Sequence, residues 1–336
     1  MFDAHHARLD LFSPLPRLFK IKNVTFNILD YRLKIKIILR VRTCVIFNPA
    51  ARGDKARHFR KWLNGVAFEC TLKPTTQAGE ARRLGTEAVA EHFDLIIAAG
   101  GDGTVNEVLN GLGDAPNGFE RARLGVLPLG TVNVFAREIG LPLKVAEAWK
   151  VLQRGTERLI DVPMVEFSSN GVSSRRYFIQ LAGAGLDARA IELVNWKHKK
   201  RVGPLAYVIA GLRALREKHP RISVRADGQE FSGQLVLTGN GRYYGGSFAV
   251  FPSADLADGW MDVCCLPRTN FSTLLKIAPG VLFRGLLPEG QVRRVRTKKF
   301  ELTAESQAAF ELDGEWVGHL PATFSMSPQK VRVIAP

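Results

Sequence analysis

Two spacings of apolar residues alternate along the chain between residues 43 and 140. Short runs of consecutive apolar positions are typical of strands buried on both faces of a parallel sheet, whereas apolar residues three or four apart predict helices. The predicted order is strand 44–47, helix 55–63, strand 68–72, helix 78–90, strand 95–99, a helix from about 104 to 112, and a strand from 124. This alternation predicts an α/β fold with a mostly parallel sheet, which binds ligands beyond the carboxyl ends of its strands.

The pattern changes from about residue 158. Short runs separated by turn residues predict antiparallel strands, and we expect them to form a β-sandwich. The runs are 160–167, 176–181, 221–226, 234–238 and 261–266, with a helical segment at 205–218. We therefore divide the chain into a basic extension (1–42), an α/β domain (43–140), a β-sandwich domain (141–318) and a C-terminal return to the first domain (319–336) through a strand at 331–334.

Between the strand at 95–99 and the following helix lies a loop of Gly100, Gly101, Asp102, Gly103 and Thr104. Glycines remove the Cβ atoms that would keep an anion away from backbone N–H groups, and the helix start adds unpaired amides and a positive dipole end. The loop therefore predicts a phosphate site. An uncompensated carboxylate would repel phosphates, so we expect Asp102 to hold Mg²⁺ directly or through water.

A capping box is the simpler interpretation of part of this loop. Thr104 would cap the helix, and Glu107, three residues later, would complete the box. This interpretation explains Thr104 and Glu107 but leaves the Gly-Gly-Asp-Gly sequence unexplained.

A second strand, turn and helix follow at residues 124–137. Thr131 and Asn133 at the mouth of this turn can offer hydrogen bonds to a nucleotide at the same sheet edge, although a plain structural turn has the same sequence pattern.

Two later segments also combine carboxylates with glycine. Asp255 and Asp258 precede Gly259 and could bind a hard cation through the Asp258 side chain and backbone carbonyls, or form a solvated turn. Asp313, Gly314 and Glu315 place two carboxylates at a strand end, although Asp-Gly is also a common hairpin turn.

Composition narrows the protein class. A chain of 336 residues with 46% apolar and 24% charged residues, and no run long enough to cross a bilayer, is typical of a globular protein. The four cysteines lack Cys-x-x-Cys spacing and favour a reduced compartment, and no signal peptide is recognisable, so a cytoplasmic location is expected.

The net charge of +15 predicts attraction to polyanions. Residues 1–42 contribute nine Lys or Arg against three Asp; this segment could lie on an anionic membrane or be a poorly ordered extension or a misplaced start. Basic clusters at 197–201 and 293–299 are candidate contacts for lipid headgroups, or simply solvated faces. No zinc spacing or aromatic-basic motif indicates specific nucleic-acid binding.

Four motifs occur in order: Gly-Gly-Asp-Gly-Thr-Val-Asn-Glu-Val, Pro-Leu-Gly-Thr-Val-Asn-Val-Phe-Ala-Arg, Ala-Asp-Gly-Trp-Met-Asp-Val and Asp-Gly-Glu. Together they resemble the diacylglycerol kinase catalytic-domain family of lipid kinases, above all its soluble bacterial members, to which sphingosine and ceramide kinases are related. The resemblance covers residues 44 to about 334. It implies a nucleotide-binding α/β domain, similar to that of NAD kinases, beside a β-sandwich lipid domain, with the active site between them.

The resemblance also implies ATP as phosphoryl donor, Mg²⁺, and roles for individual residues. Glu315 would accept the proton of the lipid hydroxyl, and a structural Mg²⁺ would be held by Asp255, Asp258 and Trp260, the first and last through backbone oxygens. The implied nucleotide contacts are Asn48, Thr75, Gly101, Asp102, Gly103, Thr104, Val105, Asn106, Glu107 and Thr131.

One position departs from the family pattern. Many members have Asp directly after Gly-Thr-x-Asn, where it helps hold the catalytic magnesium, whereas this chain has Val134. Glu138 lies one helical turn further on the same face, so our hypothesis is that Glu138, or water alone, completes the metal shell.

The expected function is phosphorylation of a hydroxyl on a diacylglycerol-like lipid by a peripheral enzyme at the inner face of the membrane. The alternatives are a kinase of a sphingoid, ceramide or other lipid, an NAD-kinase-like enzyme acting on a soluble substrate, and a non-catalytic protein that binds nucleotide and membrane. The lipid and the oligomeric state are left open by the sequence.

Overall fold

The computed structural model describes residues 19–21, 24–26, 41–49, 59, 70–169, 171–193, 214, 217–269, 273, 290 and 292–336. Two compact units are present, Met1–Val41 and Arg42–Pro336. In the first unit, strands β1 (Phe19–Ile21) and β2 (Val24–Phe26) pair as an antiparallel hairpin. Most of the expected helices at 55–63 and 205–218, and the basic cluster at 197–201, lie outside the described residues.

The second unit contains both predicted kinds of sheet. Its helices are α1 (Glu80–Ala90), α2 (Asp102–Asp114), α3 (Gly118–Arg121), α4 (Val134–Glu138), α5 (Val145–Arg154) and α6 (Leu186–Glu192). Its strands are β3 (Thr43–Phe47), β4 (Thr71–Pro74), β5 (Leu95–Gly100), β6 (Arg123–Pro128), β7 (Thr156–Ser169), β8 (Val172–Tyr177), β9 (Leu181–Gly185), β10 (Ile222–Ala226), β11 (Gln229–Gly233), β12 (Leu235–Gly239), β13 (Met261–Leu266), β14 (Arg293–Thr297), β15 (Lys299–Ala304), β16 (Ala309–Leu312), β17 (Glu315–His319) and β18 (Ala322–Ala335).

Within the described ranges the larger sheet has ten strands, eight of them in the order β11-β10-β15-β18-β6-β5-β3-β4, with β7 paired to β18 and β8 paired to β7. Strands β4, β3, β5 and β6 run parallel, as their buried apolar runs predict. The C-terminal strand β18 pairs in parallel with β6 and antiparallel with β15 and β7. One continuous sheet therefore joins the α/β part to the antiparallel part.

The smaller sheet is antiparallel and has the order β14-β13-β12-β9-β16-β17. Its inner face packs on the antiparallel end of the larger sheet through a core rich in phenylalanine, in which Phe300 and Phe324 stack with ring centroids 4.8 Å apart. The α/β fold class with an added antiparallel layer is therefore confirmed.

The parallel register determines where the site forms. Ala99 pairs with Phe47 on one side and with Leu127 on the other, so β3, β5 and β6 end at the same edge of the sheet. The turns that follow β5 and β6 are consequently neighbours, and the first residues of α2 and α4 lie at this edge.

Candidate active site

The two glycine turns contact each other directly. Leu129 N and Gly130 N donate hydrogen bonds to Gly100 O at 2.9 and 3.2 Å. A side chain on Gly130 would place its Cβ only 2.5 Å from Gly101 Cα. The close approach of the two backbones therefore requires glycine, and it joins the predicted phosphate loop to the turn that carries Thr131.

Asp102 is the first residue of α2, with Gly101 as N-cap. Its Oδ1 accepts a hydrogen bond from Phe135 N at 3.2 Å, at the start of α4. Burial raises the pKa of Asp102, and the backbone N–H groups of Phe135, Val134 and Asn133 oppose that rise. Among the described residues, backbone N–H groups hold this carboxylate, and no arginine or lysine pairs with it.

Glu315 begins β17 and comes from the far end of the sequence to the glycine loop. A methyl group on Gly103 would overlap the Glu315 carboxylate, so glycine at this position makes room for the acid. Gly103 and Glu315 line a cavity of about 670 Å³, together with Gly101, Asp102 and Thr131. The structure therefore brings together the predicted proton acceptor, the predicted metal-side carboxylate and part of both glycine turns.

Asp313 positions Glu315, a role that its sequence pattern did not reveal. Asp313 Oδ1 accepts from Gln180 N and Leu181 N at 2.9 and 3.0 Å, and Oδ2 accepts from Ile179 N at 3.0 Å and from Asn106 Nδ2 at 2.7 Å. These four bonds tie the turn that carries Glu315 to the chain before β9 and to α2.

Three of the predicted nucleotide contacts use their side chains elsewhere. Val105 is buried in the core, and Asn106 donates to Asp313 and to Tyr177 O. Glu107 accepts from Gly79 N and Ala81 N at 3.0 and 2.9 Å, so it caps α1. The capping-box interpretation is wrong, because α2 begins at Asp102 and has no side-chain cap.

The other predicted nucleotide contacts lie at the last residue of a parallel strand or directly after it. Gly100 is the last residue of β5, and a side chain on it would overlap that of Thr104. Asn48 is exposed directly after β3, and Thr75 follows β4, with its N–H donating to Phe47 O at 2.8 Å. These residues share the sheet edge with the glycine loop but do not line the cavity.

Glu138 does not complete a metal shell. Its Oε1 accepts from Arg242 Nε at 2.8 Å, and its Oε2 accepts from Gln180 Nε2, Arg242 N and Tyr243 N at 2.9, 2.8 and 3.0 Å. Both oxygens are therefore used to hold the loop after β12, which corrects the hypothesis drawn from the helix spacing.

Asn133 offers a different oxygen near Val134. Its Nδ2 donates to Gly130 O at 2.8 Å, while its buried Oδ1 has no hydrogen-bond partner within the described part of the chain. A Cβ on Gly130 would lie 2.7 Å from this oxygen. A carboxylate and a buried amide oxygen at adjoining turns are hard ligands of the kind that Mg²⁺ takes, so these residues fit the ion.

The predicted structural metal site is closed by the protein. Asp258 Oδ1 accepts from Trp260 N at 2.9 Å, and its other oxygen forms an ion pair with Arg296. Asp255 Oδ1 accepts from Ala257 N at 2.9 Å. Asp258, the predicted side-chain ligand, thus uses its oxygens for a turn hydrogen bond and an arginine pair, and this arrangement does not fit a divalent cation. The backbone oxygens of Asp255 and Trp260 stay predicted ligands.

The described residues contain neither a metal-binding cluster of the usual ligand types nor a membrane-spanning helix. No group of three or more His, Cys, Asp or Glu side chains is placed to hold a metal ion. None of the helices is long and apolar enough to traverse a bilayer.

Comparison with known proteins identifies the chain. The diacylglycerol kinase catalytic domain matches residues 42–165, and the YegS C-terminal NAD kinase beta sandwich-like domain matches residues 180–335. Diacylglycerol kinase of Bacillus subtilis (strain 168) is 32% identical over 303 residues, covering 88% of this chain and 96% of the relative. The chain belongs to the diacylglycerol kinase catalytic domain family. It is therefore a lipid kinase, and its family membership implies ATP as the phosphoryl donor.

Further relatives agree with this assignment. Diacylglycerol kinase of Staphylococcus carnosus (strain TM300) is 30% identical over 308 residues, covering 89% of this chain and 96% of the relative. The crystal structure of a diacylglycerol kinase from Bacillus anthracis str. Sterne superposes with a TM-score of 0.64 at 25% identity, covering 88% of this chain and 97% of that one. The resemblance inferred from the four motifs is confirmed.

Proposed function

We propose that this lipid kinase transfers the γ-phosphoryl group of ATP, with Mg²⁺, to the hydroxyl of a diacylglycerol-like lipid. The observation that carries the proposal is the packing of the Glu315 carboxylate against Gly103, beside Asp102, in the wall of a largely apolar cavity. Phosphoryl transfer depends mainly on positioning and charge stabilisation, and these groups supply both.

Each residue has a defined task in this reaction. The backbone N–H groups of the glycine loop bind the phosphates, and Glu315 accepts the proton of the attacking hydroxyl. Asp102 and Asn133 would hold Mg²⁺, which when bound neutralises negative charge on the phosphates. Asp313 keeps Glu315 beside the loop through its four hydrogen bonds.

A test of this function uses the full chain, ATP and Mg²⁺ with a panel of lipids in detergent micelles, and mass spectrometry of the products. We expect a phosphomonoester on a glycerol-based lipid and no phosphorylated NAD. Phosphorylation of NAD alone would favour the soluble-substrate kinase. Nucleotide binding without ATP consumption across the panel would favour the non-catalytic alternative.

An anionic membrane is the surface on which we propose the enzyme works, at the inner face of the membrane. Exposed basic residues lie along β14 and in the turn after it. Two of them cover the ring of Trp260, which is 38% exposed: Arg296 Cζ lies 5.8 Å and Lys298 Nζ lies 4.8 Å from the ring centroid. Aromatic rings and basic side chains together suit the headgroup region of a bilayer.

Vesicle partitioning tests this surface. Replacing Lys298 and Lys299 by alanine should weaken binding to anionic vesicles about tenfold or more, since each basic residue near the surface contributes roughly 1 kcal/mol. The matched control replaces Lys144, which precedes α5, and Lys150, which lies on it. Both are exposed, and their replacement removes the same charge. Equal losses for both pairs, or binding that is indifferent to salt, would exclude a dedicated surface.

A further inference from the structure

The turn before β13, residues 255–260, brings several carboxylates close together. Asp255 and Asp258 lie on the turn, and Asp262 follows shortly after it on β13. The buried Asp161 of β7 contacts the turn from the larger sheet, where its Oδ2 accepts from Gly259 N at 2.6 Å. Neighbouring carboxylates repel one another, so the turn keeps its shape only if positive charge is placed among them.

Arg296 supplies positive charge on the exposed side of the turn. It forms an ion pair with the Asp258 carboxylate, and its Nε lies 4.0 Å from Asp262 Oδ2. Strand pairing places it there, because Arg296 is the register partner of Asp262 across β13 and β14. Burial raises the pKa of Asp262, and the guanidinium opposes that rise. Arg296 Cζ also lies 5.8 Å from the Trp260 ring centroid, so two carboxylates and a ring surround the guanidinium.

Lys330 supplies positive charge where the turn meets the larger sheet. Lys330 Nζ lies 2.8 Å from Asp161 Oδ1 and donates to Ala257 O at 3.4 Å. Asp161 is the register partner of Lys330 across β7 and β18, and its N–H donates to Leu256 O at 2.7 Å. A buried carboxylate that loses its cation strongly destabilises a fold. Lys330 therefore binds one carboxylate and one backbone carbonyl, which are the two ligand types that a hard cation takes.

These contacts leave little for a divalent cation to bind. Both oxygens of Asp258 are engaged, one by Trp260 N and the other by Arg296. The other predicted ligands are the backbone oxygens of Asp255 and Trp260, which carry no charge. The affinity of a site for Mg²⁺ or Ca²⁺ depends on the number of its charged ligands. The guanidinium also places a positive charge where the ion would approach the carboxylate.

We propose that Arg296 and Lys330 are built-in cations that replace the divalent ion predicted for the turn 255–260. The turn is therefore held without metal, and it joins two cores: Leu256 packs in the core of the α/β part, and Met261, directly after the turn, packs between the two sheets. A change in free Mg²⁺ then affects the kinase through its nucleotide and not through this connection. The inference goes beyond phosphoryl transfer, because it concerns a different part of the molecule.

Removing the guanidinium should uncover a cation site. Arg296→Ser leaves the Asp258 carboxylate without its arginine beside backbone oxygens, which is the ligand set predicted from the sequence. Without nucleotide and at constant ionic strength, we expect Mg²⁺ or Ca²⁺ to raise the Tm of Arg296→Ser by about 3 °C or more relative to EDTA. The same ions should shift the Tm of the native full chain by less than about 1 °C, because the arginine occupies the carboxylate.

Two matched variants separate this effect from a general loss of charge. Arg294→Ser removes an exposed arginine from the same face of β14 and should respond to the ions as the native chain does. Arg296→Lys keeps a cation beside Asp258 and should also be indifferent to them. Equilibrium dialysis against Ca²⁺ measures binding directly. We expect a single bound ion in Arg296→Ser, and none in the native chain or when Asp258→Asn is added to Arg296→Ser.

Either of two results would overturn the built-in cations. Mg²⁺ or Ca²⁺ could raise the Tm of the native chain and fail to do so in Asp258→Asn, which would show that the ion displaces the arginine. Arg296→Ser could respond to neither ion and bind no Ca²⁺, whatever its stability in EDTA, which would show that the guanidinium fills no cation position. Neither result involves turnover, so the proposed lipid-kinase function is tested separately.

Discussion

Two Asp-Gly segments of this chain have similar local sequences and different surroundings. Asp102 in the loop after β5 is held by backbone N–H groups and faces a cavity, whereas Asp258 in the turn before β13 is paired with Arg296. Both patterns predict a cation site from sequence. The comparison shows that the neighbours contributed by distant strands decide whether such a carboxylate can receive an ion.

The largest effect is expected at the loop after β5. Asp102→Asn and Glu315→Gln should each reduce kcat by about 10²–10⁴, because one removes the metal-side charge and the other the proton acceptor. Steady-state phosphorylation of the best lipid is the measurement, with circular dichroism to verify folding. Unchanged turnover in either variant would remove that residue from the mechanism.

A smaller effect is expected at Glu138. A variant at this position distinguishes a metal ligand from a residue that only holds the loop after β12. Glu138→Gln should lower the free energy of unfolding by about 1–3 kcal/mol, since charged hydrogen bonds to Arg242 and to two backbone N–H groups are weakened. The Mg²⁺ concentration that gives half-maximal rate should not change. A raised Mg²⁺ requirement at unchanged stability would instead restore Glu138 as a ligand. Glu147→Gln on α5 is the exposed control.

The smallest effect is expected at the turn before β13. Without nucleotide, Mg²⁺ or EDTA should shift Tm by less than about 1 °C, because a ligand stabilises only what it binds. Asp258→Asn should cost no more than about 1 kcal/mol, as for other partly exposed ion pairs. A Tm increase with Mg²⁺ that disappears in Asp258→Asn would show that the ion displaces Arg296.

The elements of the α/β part were largely predictable. The apolar runs of β3 and β5 and the helical spacing of α2 appear where expected, because consecutive residues determine local burial. Helix ends were less predictable. Glycine precedes α2 where a threonine cap was expected, since the cap is formed by the close approach of two turns.

The site was predictable only in part. Asp102 and Glu315 were found because short motifs carry them, and the structure places both at one cavity. The role of Asp313 was missed because its partners Ile179, Gln180 and Leu181 lie more than a hundred residues away in the chain. Only the pairing of β9 with β16 brings them together.

The sequence by itself determined the family, the order of the described strands and helices in the α/β part, and the glycine loop for which phosphate binding is proposed, because each depends on residues close together in the chain. Tertiary structure alone decided which carboxylates remain available. Glu138, Glu107 and Asp258 are taken by Arg242, by the start of α1 and by Arg296, whereas Asp102 is left facing the cavity. A carboxylate binds whichever donor lies nearest in space, and that neighbour is set by strand pairing across the whole chain.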